Sequence, residues 1–88
     1  MNYVVFYHKK CKKDILKASK KNPIIKKILI KKIHEICNKP LHYKPLCNDL
    51  VGERRVHILS SFVLKFIIDQ NKKTITFIAF QHHDKAYK

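Results

Sequence analysis

Eighty-eight residues, 45% of them hydrophobic, allow a single domain (1–88) with one modest core. The charge is the exceptional property: 20 Lys and Arg against 6 Asp and Glu give +14, and 18 of those cations are lysines. Such a chain repels itself when compact. That points to a polyanionic partner, with nucleic acid first, an acidic protein second and an anionic membrane third. The lysine excess favours plain phosphate attraction over bidentate reading of bases.

Met1 leads directly into the strand-like run Asn2-Tyr3-Val4-Val5-Phe6-Tyr7, with no charged leader or cleavage site. No apolar stretch reaches the length of a membrane span. Three cysteines, Cys11, Cys37 and Cys47, are an odd number without a close pair. They predict reduced thiols in a cytoplasmic protein rather than a disulfide or zinc framework.

Residues 2–7 read as a first strand. Residues 9–20 are helical in composition, with a weak apolar face of Cys11, Ile15, Leu16 and Ala18. Asn22-Pro23 then supplies a helix cap followed by a proline at the first helical position. Beyond it Ile24, Ile25, Ile28, Leu29, Ile33, Ile36 and Cys37 recur at three- and four-residue spacing, opposite Lys26, Lys27, Lys31, Lys32 and Glu35. This predicts an amphipathic helix of about four turns, stopped at Asn38-Lys39-Pro40. A loop with Pro45 and Gly52 follows. Three β-branched and aromatic runs complete the chain: 54–59, 62–68 and 74–80, with the polar break Asp69-Gln70-Asn71-Lys72-Lys73 before the last. The expected architecture is α+β: order β-α-α-β-β-β, one mainly antiparallel sheet, and two N-terminal helices on one face. The face made by Ile25, Ile28, Leu29, Ile33 and Ile36 should pack on Phe66, Ile68 and Phe77 or their neighbours.

The polar residues inside and just after these strands are not what a sheet that needed only a core would place there. Arg54, Arg55, His57 and Lys65 interrupt apolar runs, and His82, His83 and Tyr87 follow the last strand. Strand alternation sets Arg55, His57 and Leu59 on one face and Arg54, Val56 and Ile58 on the other. A lone strand histidine is usually structural. Adjacent His82 and His83 point to opposite faces of a regular strand, so they cannot chelate one ion, and no ligand spacing supports a metal or another cofactor. General acid–base chemistry is the alternative, with His57 and His83 flanking a phosphate whose charge Arg or Lys holds. Tyr87 is either a base contact or a C-terminal core plug.

The pattern Lys44-Pro45-Leu46, Gly52, Arg54-Arg55-Val56-His57-Ile58, Phe62-Val63-Leu64, Phe77 to Phe80 and His82-His83-Asp84-Lys85-Ala86-Tyr87 resembles the RelE/ParE superfamily of toxins from type II toxin–antitoxin pairs. Its RelE/YafQ branch of mRNA interferases is the nearest in pattern. The resemblance implies a toxin that enters the ribosomal A site and cuts mRNA without a metal. The 2′-hydroxyl attacks the adjacent phosphate and leaves a 2′,3′-cyclic phosphate. It assigns His57 and His83 as base and acid, and Arg54, Arg55 and Lys44 to phosphate. Tyr87 would touch a base, with His42, Lys65 and His82 as further RNA contacts. It also implies an acidic antitoxin, a monomer alone and a hetero-oligomer with that partner. Three positions depart from the family pattern: Val63 where many relatives carry Arg, Lys44 where the YafQ branch carries His, and Ser61 where that branch carries an acid. Two further readings stand beside it: a ParE-like toxin that inhibits DNA gyrase and cuts nothing, and a basic RNA-binding module. The second lacks an aromatic stripe, since Phe62, Phe66, Phe77 and Phe80 read as core.

Overall fold

The computed structural model describes residues 3–39 and 53–82. They form β1 (Val4–Tyr7), α1 (Lys9–Lys21), α2 (Pro23–Asn38), β2 (Glu53–Ile58), β3 (Phe62–Asp69) and β4 (Thr74–His82). This is the expected β-α-α-β-β-β order.

A single residue organises the helical half. The backbone N–H of Asn22 donates to the Ala18 carbonyl at 3.0 Å and ends α1. Its side-chain Oδ1 accepts from the N–H groups of Ile24 (2.9 Å) and Ile25 (3.4 Å) and starts α2, with Pro23 at the first helical position. Ile25, Leu29 and Ile36 are buried and Ile28, Ile33 and Cys37 pack beside them. Ile24 departs from the expected stripe and is 63% exposed. At about 100° per residue it falls roughly a third of a turn from the line through Ile25, Leu29 and Ile36. On α1 Cys11 is fully buried and Ile15 and Ala18 are partly so, whereas Leu16 faces outward.

The four strands lie in the order β1-β4-β3-β2. β1 runs parallel to β4, and β4–β3 and β3–β2 are antiparallel. The helices cover one face. Their buried residues share a cluster with Val56 and Ile58 of β2, Leu64, Phe66 and Ile68 of β3, and Ile75, Phe77 and Phe80 of β4. Phe66, Ile68 and Phe77 therefore share one core with the isoleucines of α2, as expected. Phe77 and Phe80 are three residues apart, yet both point inward. A β-bulge permits this: Lys65 pairs with Ala79 and Phe66 with Phe77, so Ile78 is the extra residue that resets the alternation.

The turns follow local chemistry. Asp69 Oδ1 accepts from the Lys72 N–H at 3.0 Å, and Lys73 takes a left-handed conformation before β4. Leu59 also leaves the extended region, at φ 56°, so it belongs to the β2–β3 turn and not to the strand face of His57.

Candidate nucleic-acid site on the open face of the sheet

Register decides which polar residues meet. On the sheet face away from the helices Arg55 stands opposite Lys65, and His57 opposite Val63. On that same face Lys65 is opposite Ala79 of β4, and Val63 opposite Gln81. Arg55 and Lys65 are half-buried and His57 is exposed. Two like charges directly opposite across antiparallel strands repel. The chain holds only two arginines among its 20 cations, and both lie side by side on β2. A guanidinium, an ammonium and an imidazole thus share a small patch of one face, with the chemistry to bind a phosphate and move protons around it.

The other candidates separate from this patch. Arg54 pairs with Phe66, so it lies on the helix-side face. His82 pairs with Phe62 and sits edge-on to its ring at a centroid distance of 5.6 Å. There it lines a cleft of about 460 Å³ with Lys10, Lys17, Lys21, Phe62 and Phe80. His42, Lys44, His83 and Tyr87 lie outside the described residues. So does Cys47, whereas Cys11 and Cys37 are free thiols.

The perturbed groups are elsewhere, near the start of α1. Burial, with the Asp14 charge adding to it, pushes the Cys11 thiol up to about 11. Burial also raises Cys37. It raises Tyr7 as well, reinforced by the two thiols, and the Tyr7 ring stacks on Phe77 at 5.3 Å. A thiol held protonated is a poor nucleophile, and fully buried Cys11 has the character of a core residue. Among the described residues no three His, Cys, Asp or Glu side chains gather to hold a metal ion. No helix among them is long and apolar enough to cross a membrane.

Residues 2–87 match the family described as ParE toxin of type II toxin–antitoxin system, parDE. The chain belongs to this toxin family. A protein of Methanocaldococcus jannaschii named "Putative toxin RelE4" is 46% identical to this toxin over 76 residues, which span 86% of this chain and 81% of that one. The fold recurs in the intact RelBE toxin–antitoxin complex of Escherichia coli, at a TM-score of 0.75 and 16% identity, covering 90% of this chain and 94% of that one. It recurs again in Escherichia coli YafQ, at a TM-score of 0.75 and 16% identity, covering 99% and 100%. At such identities these two structures establish the fold, which is the RelE-like one expected.

One exposed aromatic residue on the sheet face away from the helices stands outside the sequence expectations. Phe6 is 52% exposed on β1, the only phenylalanine of the five that is exposed. The signal was available, since alternation in the first strand sets Val4 and Phe6 opposite Val5 and Tyr7.

Proposed function

We propose that this toxin is a ribosome-dependent mRNA endoribonuclease that acts in the cytoplasm and is held inactive by an acidic antitoxin. The observation that carries the reading is the cross-strand pair Arg55 and Lys65, with His57 two residues along the same face. In the reaction a base takes the proton of the 2′-hydroxyl, whose oxygen attacks the adjacent phosphorus. The bond from phosphorus to the 5′-oxygen breaks, and an acid protonates that leaving oxygen. The products are a 2′,3′-cyclic phosphate and a 5′-hydroxyl. His57 and His83 serve as base and acid, because imidazole gains and loses its proton near neutral pH. Arg55 and Lys65 hold the charge that builds on the phosphate oxygens. Lys44 and His42 widen the basic surface for RNA and Tyr87 contacts a base, whereas Arg54 and His82 lie on the helix side of the sheet, away from this patch. The acid–base groups are side chains, so cleavage needs no added cofactor or metal.

The antitoxin partner rests on the charge of +14 and on the family, whose members work in toxin–antitoxin pairs. The protein is a monomer alone and a hetero-oligomer with that partner. A second reading has one observation in its favour: the matching family carries the ParE name, and a ParE-like toxin would bind DNA gyrase and cut nothing. An inhibitor that only binds has no use for the acid–base chemistry of His57 and His83. The deciding experiment gives purified toxin ribosomes programmed with a defined mRNA, and gyrase with supercoiling substrate. Cut mRNA ending in a cyclic phosphate supports the nuclease. Intact mRNA with blocked supercoiling replaces it by the inhibitor.

A further inference from the structure

The open face carries a feature that acid–base chemistry does not use. Phe6 lies on β1, an edge strand of the sheet. It is 52% exposed and Val4, on the same face, is 55% exposed. Edge strands are ordinarily blunted with lysine. A chain with 18 lysines to place has set a phenylalanine there instead, while Phe66, Phe77 and Phe80 are buried. The register neighbour of Phe6 is Thr76, whose own neighbour on β3 is Ile67. Lys65 is two residues along β3 on the same face. Two strand spacings and one two-residue step separate Phe6 from Lys65, about 12 Å. An aromatic ring and a cationic patch therefore lie on the same face of the sheet, a few nucleotides apart.

We propose that Phe6 is a stacking platform for a base of the RNA strand whose phosphate is held at Arg55 and Lys65. The inference rests on the endoribonuclease reading and adds a positioning residue to it. Aromatic rings beside a basic track are how single strands are held without sequence preference, because every base offers a π-face. Val4 and Phe6 make a small apolar area flanked on β4 by Thr74 and Thr76. It is well short of the broad apolar patches that mark protein docking. Stacking fixes the strand laterally, and the acid–base pair then meets a defined phosphate.

The test compares wild-type toxin, Phe6→Leu and Phe6→Tyr. Leucine keeps apolar bulk without a π-face, and tyrosine keeps the ring. KM and kcat are measured on ribosome-bound mRNA. Binding of a short single-stranded RNA carrying 2-aminopurine is measured at fixed salt in a His57→Ala background, where cleavage does not interfere. Phe6→Leu should weaken RNA binding about 5- to 150-fold, raise KM with little change in kcat, and abolish the stacking quench of the fluorophore. Phe6→Tyr should restore all three. Unchanged KM and quench in Phe6→Leu, with wild-type toxin still cutting, overturn the platform and leave the nuclease standing. Equal loss in the leucine and tyrosine variants also overturns it, as does loss of antitoxin capture with RNA binding intact. Wild-type toxin that neither binds nor cuts RNA removes both readings together.

Discussion

Arg55 and Lys65 stand directly opposite one another across β2 and β3, on the face that the helices leave uncovered. Two cations in register work against strand pairing, and together they offer a phosphate two charged donors. Arg55→Gln and Lys65→Gln should each lower mRNA cleavage by roughly 10²–10³-fold, the usual cost of removing one donor to a developing oxyanion. The loss of cleavage should exceed what any change in thermal midpoint explains. Arg55→Lys should rescue only in part, since an ammonium lacks the planar fork of the guanidinium. Calorimetry beside single-turnover cleavage reads both effects, and a large drop in midpoint would mark the pair as structural.

His57 is exposed on that face, so its loss should not disturb folding. His57→Ala and His83→Ala should each slow cleavage of ribosome-bound mRNA by roughly 10²–10⁴-fold, the range for one positioned proton-transfer group. The double variant should fall well short of the product of the two, because base and acid act as a unit. Chelation by EDTA should change nothing beyond what the ribosome itself requires. Cleavage that survives in the double variant would remove the acid–base assignment.

The residues that made the fold legible are those whose signals are local. Asn22-Pro23 announced a helix boundary because a side-chain cap and a fixed proline φ act on their immediate neighbours. Ile25, Leu29 and Ile36 announced a buried stripe through spacing alone. The alternation of Arg55 and His57 against Val56 and Ile58 set out the two faces of β2 before any register was known. What escaped depends on pairing between distant segments. The bulge at Ile78 exists only relative to Lys65 and Phe66, and so the parallel inward aim of Phe77 and Phe80 was hidden. His82 was readable as a strand-end histidine, but only its pairing with Phe62 shows that it leaves the face of His57. Likewise β1 had no visible partner in sequence. Its parallel pairing with β4 brings Phe6 onto the sheet that carries Lys65 and Arg55.

Asn22 links two helices through opposite ends of one residue. Asn22→Ala deletes the side-chain acceptor of the Ile24 and Ile25 N–H groups and should cost about 1 kcal/mol. In a domain of this size that is a fall of roughly 4–8 °C in thermal midpoint. Asn22→Gly should cost only a few tenths of a kcal/mol. Differential scanning calorimetry checks the order wild type, Gly, Ala, and equal midpoints would show that the cap contributes nothing.

Cys11 offers a pH signature of the core. Its side chain is fully buried, and its thiol rises from an ordinary 9.0 to about 11 on folding. The folded protein therefore keeps the proton over a pH range in which the unfolded chain gives it up. The stability this contributes is complete below about pH 9 and is lost as pH climbs through 11. The informative quantity is the difference between wild type and Cys11→Ala, in which pH effects common to both proteins cancel. That difference in stability should be constant from pH 6 to 8 and should narrow as pH rises above 9. Alkylation gives an independent check, because only a thiolate reacts. At pH 8 native Cys11 should be protected, Cys37 at the half-buried edge of the core should react sooner, and denaturant should expose Cys11 to rapid labelling. Native Cys11 labelled as fast as the unfolded thiol would show that the start of α1 opens freely and that Cys11 is not part of a closed core.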